Sequence, residues 1–302
     1  MARRFRVGLC QMVSQLEGVE TNFSTLEGLL GRASKANCQL AVLPENLLTF
    51  GLKTRFTRDE QVQWLVRFSA LARAHKLWLV AGSMPLHGFS WADGDGDGDW
   101  EVSADTIRWH DASEDVKPFA TCVVFDDQGR IASAYRKMHL FDADVKDNTG
   151  AYRESDSFAR GDMPVVCETP WGRMGVGICY DLRFPEYFRA LRQQGADFVV
   201  LPSAFTWATG KVHWELLLRA RAVENQIVMI GVNQGGEHTP QRKTWGDSMV
   251  VNGWGEIIAR AGDDKLLEDS QLGEHLVVTQ VDLDELELLR KDMPVWNHRR
   301  LQ

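Results

Sequence analysis

Short apolar runs alternate along the chain with segments whose apolar positions recur every three or four residues. Val7-Gly8-Leu9, Leu40 to Leu43 and Leu77 to Ala81 are near-continuous apolar runs of strand length, as expected for strands covered on both faces. Between them, Leu26, Leu29, Leu30 and Ala33, and then Val62, Leu65, Val66, Leu71 and Ala72, fall at helical spacing. The second half repeats the style, with a strand at Gly175 to Ile178, a helix at Pro185 to Gln193, a strand at Phe198 to Leu201, a helix at His213 to Glu224 and a strand at Ile227 to Ile230. Such alternation predicts an α/β protein. Two hairpins interrupt it: Thr121 to Phe125 turns through Asp126 to Gly129 into Ile131 to Tyr135, and Ser248 to Val251 turns through Asn252-Gly253 into Glu256 to Ala259. The sheets are therefore expected to be mixed.

No Pro/Ser/Gly-rich linker divides the 302 residues, so residues 1–302 read as one domain with its own core. A polar insertion from about 87 to 117 carries the Asp-Gly run Asp93 to Asp99. That run imitates the opening of a calcium loop, but Ala104 stands where the bidentate Glu belongs, so a solvated loop is expected. With 34 Lys and Arg against 42 Asp and Glu, the net charge of −8 has the wrong sign for a phosphate-backbone binder, and nucleic acid is excluded as a partner. Eleven Trp are explained by a core. The five cysteines form no C-x-x-C pair, which fits neither a disulfide framework nor a zinc cage; reduced thiols and no metal are expected. Nothing approaches 18 apolar residues and the opening lacks a signal-like core, so the expectation is a cytoplasmic protein without a membrane segment.

Four residues stand just past strand ends or in the loops that follow them, where open α/β sheets present their sites. Glu45 follows Leu40 to Pro44, Lys137 follows Ile131 to Tyr135, and Cys179 follows Gly175 to Ile178; Glu154 lies in the polar loop after Lys137. Each alone reads as ordinary, a buried small thiol or a solvated loop charge. Together they supply a nucleophile, a base and an oxyanion partner. A Cys-His hydrolase using His139 or His213 is the competing reading; it needs a third orienting residue and has no motif support in the chain.

Leu43-Pro44-Glu45-Asn46, Tyr135 to Asp142 and Gly177 to Glu186 resemble, in order, the three catalytic motifs of the nitrilase superfamily of carbon–nitrogen hydrolases. The similarity runs from about Arg6 to Arg300. Pro202 to Phe205, Thr209-Gly210, His213 to Glu215, Leu218 to Ala222 and Glu224 to Gln226 are similar to the branch of deaminated-glutathione amidases and omega-amidases. Tyr152-Arg153-Glu154-Ser155 resembles the motif around the family's second Glu. Asp247 departs from the branch, which usually carries His there.

The resemblance implies a four-layer α-β-β-α sandwich that dimerises through a helical layer. It further implies a cofactor-free amidase that takes a terminal carboxamide of a small carboxylate-bearing molecule to acid and ammonia. Cys179 would form a thioester, Glu45 would carry its proton, and Lys137 with the Tyr180 N–H would hold the oxyanion, with Glu154 positioning Lys137. Arg183 would clamp the substrate carboxylate beside Tyr180, Phe205 and Thr209. A nitrile-cleaving enzyme on the same residues and a decayed scaffold that binds a partner are the alternatives.

Overall fold

The computed structural model describes residues 3–16, 18–50, 56–92, 102–111, 113, 115–145, 150–262 and 271–301. Two six-stranded sheets carry the same sequence of strand directions. In the first, Arg4–Gln11, Leu40–Val42 and Trp78–Leu86 run parallel; His275–Asp282 flanks them antiparallel on one side, and Phe119–Phe125 with Ile131–Arg136 on the other. In the second, Arg173–Val176, Phe198–Ser203 and Val228–Asn233 run parallel between Val165–Glu168 and the pair Met249–Val251 and Ile257–Arg260.

The alternation of side chains along each strand builds the layers. Phe5, Val7, Leu9, Leu40, Val42, Val80, Cys122 and Val124 pack with the second sheet. Their neighbours Cys10, Ala41, Leu43, Leu79, Ala81, Val123 and Phe125 pack instead under helices α1 (Val19–Lys35) and α2 (Arg58–His75). Helices α3 (Pro185–Gln193) and α4 (Trp207–Asn225) cover the second sheet, and the result is an α-β-β-α sandwich. A short C-terminal helix, α5 (Leu283–Asp292), follows the last strand, its start capped by the Asp282 carboxylate.

Local chemistry sets the boundaries. Thr57 and Glu60 form a reciprocal capping box at the start of α2. Thr206 caps α4, which therefore begins at Trp207, six residues before the His213 read from periodicity. The sequence hid this first turn because Gly210 lies in it. A Cβ there would stand 2.2 Å from that of Trp245, so the glycine is a packing requirement and not a helix stop.

The strand expected at 77–81 runs on to Leu86 through an irregularity between Ala81 and Met84. The insertion expected as a solvated loop is partly structured: Phe89–Trp91 pairs with Ile107–Trp109, and Phe89, Val102 and Ile107 are buried. Its Asp-Gly run lies outside the described residues. Among the described residues no helix is long and apolar enough to cross a membrane.

Candidate active site

Glu45 sits three residues past its strand in a backbone turn fixed from several sides. Leu43 N–H donates to Val80 O, and Asn46, in the left-handed region at φ 57°, donates to Ser83 O and Oγ. A Cβ on Gly82 would stand 2.0 Å from Pro44 O, so only glycine lets the two backbones approach. Gln234 Nε2 donates to Glu45 O at 3.0 Å and to Ser14 Oγ at 2.7 Å. Lys137, at the end of Ile131–Arg136, donates its N–H to Ala120 O and accepts from Gly161 N.

The Lys137 ammonium, 1% exposed, lies 2.7 Å from Glu45 Oε1 and 2.9 and 2.8 Å from the two oxygens of Glu154. These contacts account for all three N–H donors of the ammonium. Glu154 opens a short 3-10 turn and also accepts from Phe141 N at 2.6 Å. Burial alone would push the Lys137 pKa down, but Glu154, Glu45 and Cys179 outweigh it and hold the pKa well above the usual lysine range. Burial raises the pKa of Glu154 against the opposing pull of Lys137.

Cys179 completes the cluster on the other sheet. It occupies the left-handed region at φ 45°, an unfavourable conformation for a residue with a Cβ. Its sulfur faces the charges of Glu45 and Lys137 and the backbone of Ala204. Burial first, and then the Glu45 charge, push the thiol well above its usual range, with Lys137 pulling the other way. Both causes disfavour the thiolate relative to the thiol.

Asp181 holds the strained turn, and it was missed as a functional group in the sequence. Fully buried, it accepts from Ile178 N and Tyr135 Oη at 2.8 Å each, and Oδ1 accepts from His139 N at 3.2 Å. Its Oδ1 also lies 2.7 Å from His139 Nδ1. One carboxylate thus ties the Cys179 turn to the segment following Lys137. His139, stacked on Phe184, is committed to this tie, and His213 Nδ1 accepts from Arg183 Nη1 at 3.2 Å, so neither imidazole is placed as the base of a Cys-His pair.

The residues expected around the substrate are placed unequally. The Tyr180 ring lies 4.9 Å from that of Phe141 and 5.3 Å from that of Phe184. The guanidinium of Arg183 sits 5.8 Å from the Tyr180 ring and 5.3 Å from the Phe205 ring. Among the described residues Arg183 has no carboxylate partner. Thr209 is used within α4, its hydroxyl 2.9 Å from that of Thr206. Asp247 is likewise structural: it is buried, with its oxygens 2.5 and 2.6 Å from Arg260 Nε and Nη2.

This geometry agrees with comparisons to known proteins. A deaminated glutathione amidase from Yersinia enterocolitica is 36% identical over 300 residues, 97% of this chain and 92% of that protein. An omega-amidase from Bos taurus is 31% identical over 300 residues, 98% and 95% of the two. The crystal structure of the Caenorhabditis elegans NitFhit protein matches with a TM-score of 0.78 at 32% identity, covering 98% of this chain and 65% of that one. The carbon-nitrogen hydrolase family matches residues 6–291, and the chain belongs to that family, the nitrilase superfamily, as a hydrolase acting on amides.

Proposed function

We propose that Cys179 attacks the carbonyl carbon of an amide with Glu45 as its base and passes the acyl group to water through a thioester. The observation that carries this reading is the convergence of Glu45, Lys137 and Glu154 in one buried cluster that also holds the Cys179 thiol. Glu45 takes the thiol proton as the S–C bond forms. It returns that proton to the nitrogen as the C–N bond breaks, releasing an amine, or ammonia from a primary carboxamide. It then deprotonates the water that attacks the thioester and returns that proton to the Cys179 sulfur as the C–S bond breaks, restoring the thiol and the carboxylate. Lys137 meets the oxyanion by exchanging one of its two Glu154 contacts for it, together with the Tyr180 backbone N–H. Glu154 keeps the lysine charged and aimed. Each step moves a proton between neighbours, so the cluster never gains a second uncompensated charge in a buried site.

Arg183 supports a substrate whose acyl half carries a carboxylate. Its half-buried guanidinium lies against two rings and donates to a neutral imidazole, leaving its fork without a carboxylate partner among the described residues. The names of the two relatives agree with a small amide of this kind. Arg183→Lys should raise KM about 30-fold for an ω-amide acid, roughly 2 kcal/mol, and leave neutral amides unchanged. A parent enzyme that prefers neutral aliphatic amides or nitriles, with the variant unaltered, overturns the clamp.

We also infer a homodimer through the exposed face of α4. Val212, Leu216 and Val223 share that face, and Gly255, next to exposed Trp254, abuts Val223. Leu216→Glu should convert the sedimenting species to monomer; a parent that sediments as a monomer removes the inference.

A further inference from the structure

Tyr135 is fully buried in the layer between the sheets, two residues before Lys137 and opposite Cys122 in the neighbouring strand. A phenol hydroxyl offers one donor and has lone pairs to accept with. Here it donates to Asp181 Oδ2 at 2.8 Å and accepts from Met138 N at 3.1 Å. Burial first, and then the Asp181 charge, push its pKa well above the usual tyrosine range, so the proton it donates stays on the oxygen.

Both partners lead to the site. The Met138 N–H belongs to the same peptide as the Lys137 carbonyl, which accepts from Gly161 N at 2.8 Å, and Lys137 N donates to Ala120 O at 2.9 Å. With Met138 N on Tyr135, the lysine's backbone is bonded on every side. Beyond the hydroxyl, Asp181 Oδ2 accepts from Ile178 N at 2.8 Å while Asp181 N donates to Ile178 O at 3.0 Å. This reciprocal pair closes the turn that keeps Cys179 at φ 45°.

The closed turn fixes its own shape. It does not fix where the sulfur stands relative to the ammonium, because Cys179 follows a strand of the second sheet and Lys137 a strand of the first. That distance needs a link between the sheets. The run from Met138 N through Tyr135 Oη and Asp181 Oδ2 to Ile178 N supplies it, from the residue after the lysine to the residue before the nucleophile. His139 adds a second link, its N and Nδ1 lying 3.2 and 2.7 Å from Asp181 Oδ1, with its ring partly exposed.

We propose that Tyr135 is a positioning residue whose hydroxyl, bridging Met138 N and the Asp181 carboxylate, sets the Cys179 sulfur against the Lys137 ammonium. It touches no reacting atom and acts only through those two groups. The proposal rests on the reading of Cys179 as the nucleophile. A displacement of about 1 Å at a reacting atom can cost on the order of a hundredfold in rate. The His139 link remains when the hydroxyl is lost, so the expected loss is smaller, about tenfold. It falls on kcat, because Tyr135 has no exposed surface to offer a substrate.

Tyr135→Phe deletes one oxygen and keeps the ring. With an ω-amide acid it should lower kcat about tenfold or more and leave KM within about twofold, with first-turnover acylation of Cys179 slowed in step. Ser69→Ala is the control for stability: it removes a buried hydroxyl that donates to Gly129 O at 2.6 Å, between α2 and the 126–129 turn. It should lower Tm and leave kcat within about twofold. Alkylation of Cys179 by iodoacetamide, read by peptide mass, reports the setting of the thiol without turnover. It needs the sulfur to pass its proton to Glu45, which Lys137 holds at 2.7 Å. Tyr135→Phe should slow it about fivefold or more, and Ser69→Ala should not. A Tyr135→Phe protein with parental kcat or a parental alkylation rate overturns the proposal, as does a raised KM with kcat kept. So does a loss of kcat in both variants that follows their loss of Tm. Turnover by Cys179→Ala would instead contradict the amidase reading alone, and the alkylation rates would still decide the role of Tyr135.

Discussion

Two clusters in this chain, one buried and one at the edge of solvent, have the same formula, one cation between two carboxylates, and opposite capabilities. Lys137 stands between Glu45 and Glu154 at the junction of the sheets. Arg260 stands between Asp247 and Glu215, beneath α4, where Trp214 Nε1 donates to Asp247 O at 2.7 Å. The arginine fork meets both Asp247 oxygens at once, and the same Nη2 also reaches Glu215 at 3.0 Å, so the planar guanidinium is held from two sides. The lysine is a point charge that holds Glu154 by two contacts where one suffices. It can therefore transfer a hydrogen bond to an arriving oxygen, whereas Arg260 is fixed. A carboxylate locked by arginine ties a helix to a hairpin; a carboxylate shared with lysine and bordered by a thiol can move protons.

The difference is sharpest when charge is kept and geometry changed. Lys137→Arg should lower kcat about a thousandfold or more, since a fork bound to two carboxylates does not release a donor to the oxyanion. Arg260→Lys should leave kcat within about twofold. Steady-state kinetics of the pair checks this, and a Lys137→Arg enzyme retaining a tenth of parental kcat would break the comparison.

A half-buried imidazole outside both clusters gives the next largest effect. His238 titrates near 6.5 unfolded and near 4 folded, chiefly because of burial. As pH falls from 6.5 to 4 the unfolded chain takes up a proton that the folded chain refuses, so stability falls by up to about 3 kcal/mol across that window. His238→Gln should flatten this part of the denaturation profile. Parallel profiles for parent and variant would show that the imidazole is not held neutral. The smallest effect belongs to Arg260→Lys again, read as stability: loss of the bidentate contact should cost about 1–2 kcal/mol, a shift of a few degrees in Tm.

Much of this was legible in the chain because apolar runs and helical spacings report burial directly. The parallel strands, α1 and α3, and both hairpins follow from pattern alone, and the four site residues stand where such strands present chemistry. The edge strands Val165–Glu168 and His275–Asp282 escaped because their apolar runs are short, the first ending at Glu168 and the second broken at Thr279. The first turn of α4 escaped behind a glycine that exists to admit Trp245. The Asp181 tie escaped for a different reason: a buried carboxylate is recognised by the donors that converge on it, and Tyr135, His139 and Ile178 come together only in the fold. The upward shift of the Cys179 pKa is likewise a property of burial beside Glu45, and no spacing encodes it.

The central claim is that Glu45 removes the Cys179 proton as the sulfur attacks, and mass spectrometry of rapidly quenched reactions tests it most directly. With an ω-amide acid, the parent should show an acyl adduct on the peptide containing Cys179 within the first turnover. Glu45→Gln should show none, since its amide cannot accept the proton, and Cys179→Ala should turn over nothing. An acyl-enzyme accumulating in the Glu45→Gln protein, or turnover by Cys179→Ala within about tenfold of the parent, would contradict the account.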